Sequence, residues 1–189
     1  MAIRDLILKN RSYRRFDQGF RIEEKTLREL VDLARCSATA ANRQPLKFML
    51  STQPEKNAQI FKTVGFARQL VWQGPAEGER PSAYIIILGD TEISQNFGCD
   101  HGIAAQSILL GAVERGLGGV MLGSANKDVL RASLNIPAKY EILLVVALGK
   151  PKETVVLETI GQDGKTAYWR DEKSVHHVPK RRLEDLIVG

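Results

Sequence analysis

The run Ile142–Leu148 is seven apolar residues without a break, and it limits the folds open to this chain more than any other feature. A strand of that composition has no face it can turn to water, so it must lie in a sheet covered on both sides. Ala83–Leu88 reads as a second buried strand. The covering layers come from segments with a helical period. Leu27, Leu30, Val31 and Ala34 mark one face of a helix from Glu23 to near Cys36, with Glu24/Arg28 and Lys25/Glu29 spaced for i,i+4 ion pairs. Asp100–Arg115 is the clearest helix: Ala104, Ile108 and Ala112 form a stripe, Ala105 and Leu109 lie beside it, and Gly116 stands where a left-handed cap belongs. Helices are also predicted over Ala2–Lys9, Pro54 to about Val64 and Lys127–Leu134, and strands over Lys47–Ser51 and Val120–Leu122. Strands and helices alternate, which argues for a three-layer α/β or α+β domain with a central sheet.

Length and composition narrow the class. At 189 residues, 43% hydrophobic and 26% charged, the chain fits one domain spanning its whole length. Its longest apolar run falls far short of the roughly 20 residues that a membrane helix needs. Met1–Lys9 places Arg4, Asp5 and Lys9 where a secretion signal needs an unbroken apolar core. Cys36 and Cys99 are isolated from one another and read as free thiols of a reducing compartment. The expectation is a soluble, cytoplasmic protein without a membrane partner. Trp72–Pro81, with Gly74, Pro75, Gly78 and Pro81, is an irregular connection, either a lid or a surface excursion.

An excess of 27 Lys and Arg over 22 Asp and Glu gives a net charge of +5 and points to an anionic ligand. The charge is concentrated near the ends of the chain, in Arg11, Arg14 and Arg15 of NRSYRRF (10–16) and in Lys180, Arg181 and Arg182 of HHVPKRRL (176–183). Guanidinium forks match phosphate oxygens two at a time, and Ser12 adds a hydroxyl, so Arg11 with Ser12 makes a plausible phosphate clamp. Nucleic acid is disfavoured as the anion, because zinc-finger spacing, a basic recognition helix and an aromatic RNA-binding strand are all absent and aromatic residues make up only 6%.

Thr39, Asn42, Gln44 and Pro45 form a polar turn whose amides suit either a ring edge bearing carbonyls and N–H groups or simple capping of the helix exit. Gly116–Gly119 ends a helix instead of opening one, unlike a dinucleotide fingerprint. With Gly123 it leaves the strand Val120–Leu122 uncrowded for close approach to something flat. GxSxG and HExxH motifs are missing, and His101, His176 and His177 lack ligand partners at metal spacing, so neither a metal nor a catalytic side chain is expected. His101 reads as a surface group at a helix start and the adjacent pair His176 and His177 as turn material. Any chemistry then belongs to a cofactor.

Five segments in this order resemble the nitroreductase family of FMN-dependent flavoproteins: NRSYRRF, TAANRQP (39–45), DHGIAAQSILLGAVERGLG (100–118), ALGKP (147–151) and VPKRRLEDL (178–186). The sequence departs from the family pattern at Asn10 for Arg, at Ala38 for Pro and at Leu46 for an aromatic residue. The resemblance implies an α+β, three-layer α-β-α sandwich with a mostly antiparallel central sheet and an extended C-terminal arm, 150–189, lying over a partner subunit. It implies FMN as cofactor, NAD(P)H as electron donor, a small flat electron acceptor and a homodimer with shared active sites. Arg11, Ser12 and Arg14 then match positions at the FMN phosphate, ribityl chain and pyrimidine side, and Lys180 and Arg182 match further phosphate contacts. Ala38, Thr39, Ala40 and Asn42 match a turn contributed by the other subunit. Leu122 and Gly123 match the strand end whose backbone amide points at flavin N5. The competing expectations are a non-catalytic flavin or nucleotide module and a basic nucleic-acid-binding protein.

Overall fold

The structure is a computed structural model that describes residues 2–67 and 69–189. Its elements in chain order are α1 (Ile3–Lys9), β1 (Phe16–Asp17), α2 (Glu24–Arg35), a 3-10 turn (Ala40–Asn42), β2 (Leu46–Ser51), α3 (Pro54–Phe61) and β3 (Ala83–Asp90). There follow α4 (Asp100–Glu114), β4 (Gly118–Leu122), α5 (Lys127–Leu134), β5 (Tyr140–Pro151), β6 (Val155–Thr159), β7 (Trp169–Arg170) and β8 (His176–Lys180).

The apolar run centred on Val145 becomes the middle of an antiparallel sheet. One edge of β5 pairs with β3 and the other with β4; β2 pairs with β3 from outside, and β1 joins at Lys150–Pro151. Alternate side chains feed two cores. Ile85, Ile87, Val146 and Leu148 pack against Leu27 and Leu30 of α2 and Ala105, Ile108 and Ala112 of α4. On the opposite face, Tyr84, Ile86, Val145 and Ala147 pack against Ile60 of α3 and Leu130 of α5. The domain is thus an α+β sandwich of three layers, as the buried strands required.

The glycines cluster where layers touch. A Cβ at Gly119 would sit 2.5 Å from the carbonyl oxygen of Ala147 in β5, an atom that cannot move without breaking the sheet. Gly116 takes φ +71°, and Leu117 N–H donates to Ala112 O at 2.9 Å, closing α4 as its sequence predicts. Of the two predicted helix-surface pairs only Glu24–Arg28 forms, at 2.6 Å; Glu29 pairs across to Arg115, the residue that caps α4, instead.

Trp72–Pro81 is strapped down. Arg15 donates from Nε and Nη2 to the two oxygens of Glu79 at 2.7 and 2.6 Å, Gly78 N–H donates to Gln18 Oε1 at 2.8 Å, and Pro75 and Pro81 are buried. The Arg170 guanidinium lies 4.2 Å from the centre of the Trp72 ring. Of the two readings of this segment, the described contacts favour the surface excursion, tied at both ends.

The arm differs from the expected extended, aperiodic segment. It folds into a small sheet on its own chain, β6 pairing with β8 in parallel and β7 with β8 antiparallel. Strands of two to five residues are too short to show a period-two signal, which is why the sequence reads as featureless. Beyond Lys180 the chain is exposed throughout, including Leu183, Leu186 and Ile187.

Two outcomes test this packing. Gly119→Ala is expected to lower stability by about 1–3 kcal/mol in urea denaturation, whereas Gly102→Ala, which meets open space in α4, is expected to raise it by about 0.5–1 kcal/mol. Glu79→Gln is expected to cost about 1 kcal/mol, the partly exposed pair being screened by solvent, and to speed proteolytic cleavage within 72–81. Unchanged cleavage would show that the buried prolines alone hold the strap.

Candidate functional site

The basic segment after α1 lies along β4. Asn10 Nδ2 donates to Gln106 Oε1 of α4 at 3.4 Å, Ser12 forms an isolated parallel bridge with Gly119, and Tyr13 N–H donates to Gly119 O at 3.1 Å. A Cβ at Gly118 would lie 2.5 Å from the Tyr13 ring. The flat object that the glycine-rich strand admits is therefore, at Gly118 and Gly119, the protein's own residues 12 and 13. Gly123, at the other end of the strand, is exposed and a Cβ there would meet nothing within 4 Å. Leu122 is buried in the core, so only its backbone can face a ligand.

The three arginines of NRSYRRF have different fates. Arg15 is neutralised by Glu79, whose hydrogen bonds raise the guanidinium pKa above its ordinary value. Among the described residues Arg11 makes no ion pair. It donates from Nη2 to Ile7 O at 2.7 Å, its Nε is buried without a partner, and desolvation lowers its pKa. Arg14 also lacks an ion pair among the described residues: its Nη1 donates to Ser12 O at 3.0 Å, and its guanidinium lies 4.7 Å from the centre of the Tyr168 ring. Burial is the first cause that lowers its pKa.

Glu153, just after β5, fixes the main chain here. Its fully buried carboxylate accepts from the backbone N–H of Arg14 and of Arg15, the latter at 3.1 Å, and from Arg170 Nη2 at 3.0 Å. The arm then completes the cluster. His176 is wholly buried, with Nε2 3.1 Å from Arg14 Nη1 and its ring 5.1 Å from that of Tyr168. The reading of His176 and His177 as turn material is corrected: both lie in β8, and His177 stacks on Trp169 at 4.0 Å with Nδ1 3.1 Å from Glu158. The local sequence carries no signal of this, because the partners of His176 are set by chain reversal. His101 is half-buried near the start of α4, with Nδ1 buried and unpartnered.

The polar turn is anchored to α4, where Ala40 N–H donates to buried Asp100 Oδ1 at 3.0 Å. Ala41, Asn42 and Gln44 take φ of 50°, 52° and 52°, left-handed values that cost side-chain-bearing residues roughly 1 kcal/mol or more each. Thr39 Oγ1 is buried without a partner, while Ala38, Ala40 and Asn42 are exposed. Among the described residues, no hydrogen bond or ion pair joins this turn to Arg11, Ser12 or Arg14. Nor does one join the side chains of Lys180 or Arg182, both exposed, to Arg11. Lys180 ends the strand that His176 begins, about 13 Å farther along. The structure thus brings Ser12 and Arg14 to β4 and the arm, and among the described residues it leaves the turn 39–42 unbonded to them.

Comparison with known proteins supplies the family. The family model described as "Nitroreductase family" matches residues 7–79 and 80–150. A protein of Archaeoglobus fulgidus, provisionally named as an NADH dehydrogenase/NAD(P)H nitroreductase, is 26% identical over 156 residues, covering 78% of this chain and 84% of its own. A nitroreductase family protein of Clostridium difficile 630 superposes with a TM-score of 0.71 at 19% identity, covering 100% of this chain and 98% of that one. An FMN-dependent nitroreductase of Clostridium difficile R20291 gives 0.65 at 20% identity, with 85% and 92% covered. These structures share the three-layer fold, and the family match runs through the basic segment, the polar turn, α4 and β4. The chain belongs to the nitroreductase family of oxidoreductase enzymes.

Proposed function

We propose that the protein is an FMN-dependent oxidoreductase that takes hydride from NAD(P)H and delivers it to a nitroaromatic, quinone or similar flat acceptor, the two substrates occupying one pocket in turn. The observation that carries this reading is Arg11, a cation that among the described residues has no carboxylate partner and whose buried Nε donates to nothing, next to Ser12, which is bridged to the glycine-rich strand. A phosphate-bearing ligand supplies the missing acceptor.

The residues present fit such a ligand. Arg11 and Ser12, with Lys180 and Arg182 from the arm, hold the phosphate. Arg14 places positive charge at the pyrimidine side, where negative charge accumulates during reduction. Thr39 Oγ1, buried and unpartnered, belongs with Ala38, Ala40 and Asn42 to the turn offered to a second copy's site. The open space at Gly123 admits the ring against the end of β4. When bound, FMN supplies hydride exchange at its N5. The chain's own share is orientation, charge and a backbone N–H at Leu122–Gly123, with no side-chain acid required.

A homodimer follows from the same reading. Ile3, Ile7 and Leu8 of α1 are exposed, α1 buries no residue, and the tail leaves Leu183, Leu186 and Ile187 exposed as well. A second copy covering these surfaces also brings its Thr39–Asn42 turn to the site. Two free, exposed cysteines suit the reducing cytoplasm.

Purified protein is expected to be yellow and to bleach on anaerobic addition of NADH or NADPH, recovering colour with a quinone or nitroaromatic. Yellow protein that neither donor bleaches would make it a flavin carrier, and colourless protein that does not take up FMN would overturn the reading. Arg11→Ala is expected to weaken FMN binding about 10- to 100-fold in a fluorescence titration, since a charge-assisted hydrogen bond contributes roughly 1.5–3 kcal/mol.

A further inference from the structure

We propose that His176 is the positioning residue of Arg14: a neutral imidazole on the arm accepts a hydrogen bond from the Arg14 guanidinium and aims it at the cofactor, so that cofactor affinity depends on the arm being docked. The inference rests on the reading of Arg14 as a cofactor contact, and concerns a part of the chain, 151–189, that the family match does not reach.

The argument starts from the donor count. A guanidinium carries five N–H donors and no acceptor, so a ring nitrogen 3.1 Å from Arg14 Nη1 must present a lone pair. Nε2 is then unprotonated and the proton sits on Nδ1, which is buried without a partner. Arg14 is gripped from both ends. Its backbone N–H is held by Glu153, and its Nη1 is shared between Ser12 O and His176 Nε2. Tyr168 packs on both, with its ring 4.7 Å from the guanidinium and 5.1 Å from the imidazole. His176 is itself set by β8: its N–H donates to Thr154 O at 2.9 Å, and it pairs with Val155 of β6 and Arg170 of β7.

The surrounding charges enforce the neutral form. Arg14 and Arg170 lie near the imidazole, His177 turns to the opposite face of β8 against Trp169 and Glu158, Glu153 is occupied by Arg170 and the two backbone N–H groups, and Tyr168 is the remaining titratable neighbour. Burial first, and then Arg14 and Arg170, push the His176 pKa from its ordinary 6.5 down to about 4. An undocked arm therefore takes up a proton, as pH falls from about 6.5 towards 4, that the docked arm refuses. Docking is strongest above that window and weakens through it; below it the docked imidazole protonates too and the contact turns repulsive.

The test uses the full-length protein and FMN itself. His176→Ala is expected to weaken FMN binding about fivefold, less than the full worth of one charge-assisted hydrogen bond because the residue acts through Arg14, while His176→Gln, which keeps an acceptor but does not titrate, stays within about twofold of wild type. Between pH 7 and 5 the wild type is expected to lose affinity relative to His176→Gln, a comparison that cancels titration of the FMN phosphate. Equal losses in the two variants, or parallel pH profiles, would reduce His176 to a packing residue and overturn the proposal. Nitrogen NMR of the wild-type imidazole at pH 7, without FMN, is expected to show the Nδ1–H tautomer; Nε2–H or an imidazolium overturns the pairing even if no variant folds. Wild type that does not bind FMN, yet shows the Nδ1–H tautomer, would overturn the function proposed above and the cofactor half of this inference, leaving the Arg14–His176 contact standing.

Discussion

Strand β5 is hydrogen-bonded along both edges, to β3 over Ala83–Leu148 pairing and to β4 over Gly118–Gly149 pairing, and each layer takes its position from it. Its alternate side chains face α2 and α4 on one side and α3 and α5 on the other, so neither helical layer can form its core without it. The same strand reaches past the sheet. Its last residues pair with β1, and two positions beyond Pro151 stands Glu153, the carboxylate that holds the backbone of Arg14 and Arg15. Scaffold and site are thereby one continuous piece of chain.

Charge is divided by role within a few residues. Arg15 and Arg170 meet carboxylates and serve to fasten the strap and the arm. Among the described residues Arg11, Arg14, Lys180 and Arg182 meet none, in keeping with a net charge of +5. A desolvated guanidinium without an anion is unfavourable, and burial lowers the pKa of both Arg11 and Arg14, which is what supports the proposed anionic ligand. The clustering of Arg14 and Arg170 around a neutral His176 and a single carboxylate extends that excess into the interior.

Much was legible from local pattern. The seven-residue apolar run, the stripes of α2 and α4 and the Gly116 cap depend on neighbours at most a few positions away, and helix and strand ends fell within a few residues of expectation. The resemblance motifs singled out Arg11 and Arg14, and in the structure it is Arg15 that pairs with Glu79, a distinction electrostatic counting alone could not make. What stayed hidden was short or distant: two-residue β1, the brief strands of the arm, and a histidine pair whose environment no flanking residue announces.

By itself the amino-acid order determined the layered sheet, its helices, the family and where basic residues concentrate, because hydrophobic period and motif spacing are local and survive without coordinates. Tertiary structure alone decided which charges are silenced and how the arm docks. Arg15 finds Glu79 64 residues away and Arg14 finds His176 162 residues away. Such pairings are selected by the folding of β5 and the turn after it, and each depends on geometry that no window of sequence contains.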